Sequence, residues 1–391
     1  MKVINIIILL AFIVCACSTN KTIPNEIERV FVEVDNVTQD ASSLIEKIEI
    51  VPLETNDSSL LYRIEKIIYD KKMDIYAIYT GDQIVYTFWG NGKYISNSRG
   101  VKGQGPKEYT MVLDINFNPY LEGIDMLNPY GTIYTYSPTF ELLAKKKFEP
   151  EFPINNLIAV DSVNYIFSYP FIWTDQEIAF VDLKTQQVVN TNYEGTISGG
   201  LHIGNTCFYH INDEFYFVPL GLNYYFYQID TKEKKLIPIM YIDFGDLEVK
   251  SDDLPGRAWG KRTDSKEERK EISDEVKERF NFLSESDNIF PMSKFFNKEY
   301  AYVYFKKAME RSGNHFIYNR KKKDSFLFKD KKPFSMYPCL GIVDNILLSM
   351  CKPDMVSQIV DRKFMSSEEI SKMESLKEDD NNVIVKYYLK K

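Results

Sequence analysis

Four groups of side chains in this chain have types and spacings that could do chemistry, and the first is a thiol placed to be acylated. Val14-Cys15-Ala16-Cys17 closes an apolar run from Val3 to Ala16. An aliphatic residue three before the second cysteine and a small one just before it form a bacterial lipobox. Cys15 fits less well, because bulky Val14 would occupy the position where the peptidase needs a small side chain. Cys17 is therefore the expected lipid-bearing N-terminus. The run is too short and wrongly flanked for a stable transmembrane helix. Two or more acyl chains would hold the mature protein on a membrane without spanning it.

The second group is Arg99, Lys102, Lys107 and Glu108, carried by the segment Arg99-Gly100-Val101-Lys102-Gly103-Gln104-Gly105-Pro106-Lys107-Glu108-Tyr109. Its glycines are not spaced as a dinucleotide fingerprint, and Pro106 with the charges after it does not open a phosphate-binding helix. A Walker motif is absent as well. The segment reads as a connecting loop in which glycine supplies positive φ and Pro106 stiffens the exit. Its four charges are the candidate rim of a ligand site, since loops held on a rigid scaffold often carry function.

The third group is His202, Cys207 and His210, close together in one segment. Only one stretch of chain would supply these ligands, and no His-Glu-x-x-His, EF-hand or paired-cysteine zinc motif accompanies them. No metal and no cofactor are assigned; His210 reads as the end of a strand and His202 as exposed. The fourth group is carboxylates such as Asp182 and Asp230. They follow equivalent apolar runs, where aspartate serves turn chemistry, and a glycosidase pair is decided by separation in space.

What positions these groups is a large β-rich body. Of 391 residues 44% are hydrophobic and 14% aromatic, with 27 Tyr and 26 Phe against 3 Trp, a bias towards strands. The formal net charge of -8 gives no general attraction for phosphate backbones, so nucleic-acid binding is not expected. Beyond the signal region only Cys207, Cys339 and Cys351 remain. An odd trio argues against a disulfide framework, although a Cys339–Cys351 bridge stays open.

Short apolar runs recur at 74–78, 123–127, 165–169, 214–218, 300–305 and 345–350. Most lie roughly 40 to 50 residues apart, the period of four-stranded propeller blades. Each of the first five is followed by a second run, a turn and a third run, as in Ile84–Phe88, Gly90-Asn91-Gly92 and Lys93–Ile95. The expected fold is an all-β six-bladed β-propeller with one or two short helical insertions. A charged insertion at 246–288 stretches one interval, and its Ser265-Lys266-Glu267-Glu268 capping box starts a helix with Ile272, Val276, Phe280 and Leu283 on one face. Ser366-Ser367-Glu368-Glu369 starts a second helix with Ile370, Met373 and Leu376; such stripes most often pack on their own domain.

The sixth blade, with 346–350 and 383–389, lacks an outer strand, which Ile45–Glu54 would supply to close the ring without exposed edges. The expected organisation is a signal peptide at 1–16, a lipidated Cys17 and tether at 17–44, and the propeller at 45–391.

Val51-Pro52-Leu53-Glu54-Thr55, Ile64-Glu65-Lys66-Ile67 and the Gly-Gln-Gly-Pro-x-Glu-Tyr segment at 103–109 resemble the six-bladed β-propeller lipoproteins of Bacteroidota, which are similar to NHL-repeat propellers. Asp379-Asp380-Asn381-Asn382 departs from the Asn-Pro that the family tends to have there. The resemblance implies location and shape rather than an activity. The leading expectation is a non-catalytic binding or scaffold propeller for a peptide, glycan or partner protein, held to the membrane by its lipid. The alternatives are a hydrolase or lyase at the central channel, and an accessory or sensor subunit of an outer-membrane nutrient-uptake system. Ser18 after the cysteine and the lack of an acidic cluster in Thr19-Asn20-Lys21-Thr22 favour an outer-membrane lipoprotein facing the periplasm.

Overall fold

Every apolar run that set the repeat becomes the second strand of a blade. A computed structural model of the chain describes residues 27–390 apart from 36, 38–40, 152, 170–176, 194–205, 251–252, 256–264, 308–312 and 330–338. Within them the chain forms six antiparallel sheets in sequence order. Blade one covers 64–97, blade two 114–147, blade three 156–192, blade four 208–243 and blade five 289–329; blade six combines 341–389 with the N-terminal strand Ile45–Pro52.

The period-2 alternation of side chains explains how the blades pack. In the strand Ile75–Thr80 all six residues are buried. Tyr76 and Ile78 turn to one face, where they join Tyr86 and Phe88 against Leu348, Met350 and Ile384 of blade six. Ala77 and Tyr79 turn to the other, against Ile124, Met126, Tyr134 and Tyr136 of blade two. Each blade is thus apolar on both faces, which accounts for the aromatic excess, and each fully buried Tyr or Phe contributes about 1.5–3 kcal/mol.

Closure follows the expected route. Ile45–Pro52 pairs antiparallel with Val383–Leu389, with Ile48 opposite Tyr387 and Ile50 opposite Val385. Asn381, just before the last strand, is buried and ties the seam together. Its amide donates to the Glu54 carbonyl at 2.8 Å and the Ser59 carbonyl at 2.9 Å, and its oxygen accepts from the Leu61 amide at 2.9 Å. Asn381 is therefore a lock between the chain ends.

The segment expected as tether is partly built into the propeller. Glu28–Phe31 forms a fifth strand on blade four, parallel to Lys235–Asp243. Arg29 pairs with Asp243 at 2.5 Å, and Glu28 accepts from Tyr318 of blade five at 2.7 Å. Both capping boxes form as read. Ser265 Oγ accepts from the Glu268 amide at the start of helix Lys266–Glu285, and Ser366 Oγ from the Glu369 amide at the start of helix Ser367–Glu374. Met373 is buried, and Ile370 and Leu376 pack on the same cluster. Leu283 is buried beside Leu222 and Phe290, whereas the side chains of Ile272, Val276 and Phe280 lie outside the described residues. Cys207, Cys339 and Cys351 are free thiols, all buried. Among the described residues no helix is long and apolar enough to cross a membrane.

Candidate functional site

The first strand of each blade is the innermost, and two of these strands carry a buried lysine just after an irregularity in register. In blade one the shift falls between Ile64 and Lys66. In blade five it falls between Pro291 and Ser293, immediately before Lys294. Such bulges re-aim side chains out of the regular alternation, and here the result is a polar lining within an apolar ring.

Lys66 donates to Asp114 Oδ1 of blade two at 2.6 Å, with both side chains almost fully covered. Asp114 Oδ2 accepts from the Leu157 amide of blade three at 3.1 Å. The chain of contacts continues through Asn156, whose Oδ1 accepts from Ser168 Oγ at 3.1 Å, to the Cys207 thiol, 3.9 Å from Ser168 Oγ. Burial pushes the Asp114 carboxyl above its ordinary range, and the Lys66 ammonium opposes that shift. Burial also pushes the Cys207 thiol up to about 12, with Asp114 adding to the effect. A thiol held protonated in this way is a poor nucleophile and a poor metal ligand.

Lys294 reaches across to the Asn223 carbonyl of blade four at 2.6 Å. Among the described residues no carboxylate offsets its burial, which lowers its pKa to about 7. The neighbouring Ser293 Oγ is buried without a hydrogen-bond partner among the described residues. The inner strands thus hold two buried lysines in different settings, one paired with the Asp114 carboxylate and one bonded to a backbone carbonyl, its pKa lowered to about 7 by burial.

A cavity of about 510 Å³ opens onto this lining. Blade one and the residues leading into it supply Leu61 to Ile67, including Lys66; blade six and the residue before it supply Leu340, Met350, Lys352 and Asn382; and Thr206 leads into the inner strand of blade four. Blade four is the third neighbour of blade one around a ring of six, so a cavity touching both lies across the ring axis. Its walls come from the starts of first and third strands and the end of a second strand. In an antiparallel meander these ends share one face, and the cavity is the mouth of the central channel on that face.

The glycine loop lies on the same face but is otherwise occupied. Ser98–Val101 forms a 3-10 turn capped by Asn97. Arg99 stands 3.6 Å from the Asp82 carboxylate, and Lys102 donates to the Asp82 carbonyl at 2.6 Å. Glu108 accepts from the Gly105 amide at 2.7 Å. A Cβ on Gly103 would sit 2.1 Å from Glu108 Oε2, so the glycine makes room for that carboxylate. Tyr109 is buried between blades one and two, bonded to Ser98 Oγ at 2.6 Å and the Gln83 carbonyl at 2.8 Å. Lys107 contributes its carbonyl to Tyr136 Oη at 2.7 Å. The structure gathers Arg99, Lys102, Lys107 and Glu108 into one loop, and none of the four lines the cavity.

The remaining candidates separate. His210 stacks between Phe215 and Tyr120, with ring centroids at 4.4 and 6.4 Å, while Cys207, three residues earlier on an extended segment, faces the core. His202 and Cys17 lie outside the described residues. Among the described residues no group of three His, Cys, Asp or Glu could hold a metal. Asp182 accepts from the Lys184 and Thr185 amides at 2.8 and 3.1 Å, and Asp230 from the Lys232 and Glu233 amides, both at 3.0 Å, which is the turn chemistry expected of them. Lys294, Asp114 and the cavity were not singled out from sequence. The available signal was a charged or amide residue interrupting the apolar run that precedes each second strand.

The fold and channel mouth define a six-bladed β-propeller with a single-face cavity at its axis. Over residues 28–388 the chain matches the family described as "Domain of unknown function (DUF4934)", and it belongs to that family. A putative exported protein from Bacteroides fragilis aligns at 15% identity and TM-score 0.66, covering 94% of this chain and 99% of its own. The structure of U3-55K aligns at 9% identity and TM-score 0.44, covering 87% of this chain and 98% of its own. A search of curated proteins finds no match.

Proposed function

We propose that this chain is an envelope lipoprotein, anchored through Cys17, whose propeller is a non-catalytic binding module with its ligand in the channel mouth. The observation that carries this reading is the cavity across the ring axis, with apolar walls and a few convergent polar groups, the usual make-up of a small-ligand site. The resemblance to Bacteroidota lipoproteins and NHL-type propellers, together with the exported neighbour from B. fragilis, supports an outer-membrane lipoprotein facing the periplasm. If Cys17 carries the lipid, ten residues separate it from Glu28 on blade four. Even fully extended they reach only about 35 Å, so the rim of blade four would lie nearest the membrane.

The test is mass spectrometry of small molecules that co-purify with the native protein and with a Leu340→Trp variant, which fills the mouth. The reading expects a compound retained by the wild type and lost from a variant with unchanged melting temperature. Identical extracts from both proteins would sink it.

A further inference from the structure

The chemistry of the cavity wall narrows what it can hold. Lys66 is only 5% exposed, yet it lines the cavity. An ammonium carries three N–H donors, and among the described residues Asp114 is the one acceptor that Lys66 meets. Two donors of a buried, cavity-lining lysine are therefore without an acceptor among the described residues, and a buried ammonium is costly unless its hydrogen bonds are completed.

The charges around the wall are unequal. Arg63, Lys66 and Lys352 face one lining carboxylate, Glu65. Arg63 is paired with Glu65 at 2.7 Å and Lys66 with Asp114 at 2.6 Å. Lys352 is exposed at the mouth and meets no carboxylate among the described residues. In a chain of net charge -8 this is a local surplus of one positive charge. Beside Tyr62, Thr206 and Asn382, the wall carries Leu61, Ile64, Ile67, Leu340 and Met350, an apolar surface that no purely polar ligand would satisfy.

Resting on the binding reading above, we infer that the channel mouth selects a small amphiphilic monocarboxylate. Its carboxylate takes the open donors of Lys66 and the charge of Lys352, and its apolar body lies against Leu61, Ile67, Leu340 and Met350. Two sources share this chemistry, a free acyl carboxylate and the C-terminal carboxylate of a peptide with an apolar last side chain.

The inference is tested by isothermal titration of the lipid-free chain beginning at Ser18, which keeps every described residue, the first of them Ile27. The probes are octanoate, octanamide and octylamine, and the peptide Ala-Ala-Leu as free acid and as C-terminal amide. Binding of either carboxylate at least roughly tenfold tighter than its amide supports the inference, as a charge-assisted hydrogen bond requires, and the stronger of the two identifies the source. Lys352→Met should weaken that binding roughly fivefold or more and Lys352→Glu further, with melting temperatures unchanged because the side chain is exposed. Amide or amine binding equal to the carboxylate would overturn the inference while leaving the binding module standing. Carboxylate binding indifferent to both Lys352 variants would overturn it too. No binding by any probe would also overturn it, and the co-purification experiment then decides the binding reading separately.

Discussion

Replacing Lys294 by methionine should stabilise this protein at neutral pH, and the gain should shrink as the pH rises. Burial lowers the lysine from 10.5 in the unfolded chain to about 7 in the folded one. Between those values the unfolded state holds a proton that the folded state does not, so stability climbs with pH across this window, by about 1.4 kcal/mol per unit where the difference is complete. Integrated, burying the lysine costs about 4 kcal/mol at pH 7 and about 2 kcal/mol at pH 9. Methionine removes that cost and fills similar volume, but it forfeits the 2.6 Å bond to the Asn223 carbonyl, a loss of about 1 kcal/mol. The net expectation for Lys294→Met is a gain of about 3 kcal/mol at pH 7 and about 1 kcal/mol at pH 9. Urea denaturation of both proteins at the two pH values reads this directly, because other titrating groups cancel in the difference. A variant less stable than the wild type at pH 7, or an equal difference at both pH values, would refute the reasoning.

Other consequences concern the ring and its loops. Deleting 45–54 removes the closing strand with buried Ile45, Ile48, Ile50 and Val51, about 6–12 kcal/mol of burial, which is comparable to the whole stability of a domain; loss of the cooperative melting transition is expected, and an unchanged melting temperature would contradict the closure. Gly92→Ala should cost about 2 kcal/mol or more by denaturant titration, because Gly92 has φ +87° and its added Cβ would sit 2.1 Å from the Pro52 carbonyl oxygen of the closing strand. Joint alanine substitution of Arg99, Lys102, Lys107 and Glu108 should lower the melting temperature through the lost Asp82 and Gly105 contacts while leaving retention of the co-purified ligand intact; loss of the ligand with no thermal effect would return these four to the site. Cys17→Ser should abolish incorporation of labelled palmitate and release the protein from membranes, whereas unchanged labelling would exclude Cys17 as the anchor.

The middle and outer strands were legible because their burial writes a local pattern. Ile75–Thr80 and Tyr300–Lys307 are runs of β-branched and aromatic residues set between turn residues, and both helices announced themselves through Ser265 and Ser366. The inner strands were not, since Lys66, Asp114, Asn156 and Lys294 break the apolar alternation within them. One of these interruptions, Lys66, lines the cavity and bonds to another, Asp114, so a feature that hid an inner strand also puts a buried lysine in the cavity wall. Glu28–Phe31 escaped notice for another reason. Its partner lies more than two hundred residues away in a parallel pairing, and four residues carry little periodicity of their own. Ile64-Glu65-Lys66-Ile67, quoted as part of a family resemblance, proves to be a wall of the cavity; the resemblance located the segment without revealing the role of its lysine.

The central claim is that the channel mouth holds a ligand, and a crystal structure of natively purified protein tests it most directly. The account predicts continuous density bridging blades one, four and six, with a polar group at the Lys66 ammonium and the body of the ligand against Met350. A mouth holding only water, with the co-purified compound bound elsewhere on the propeller, would contradict it.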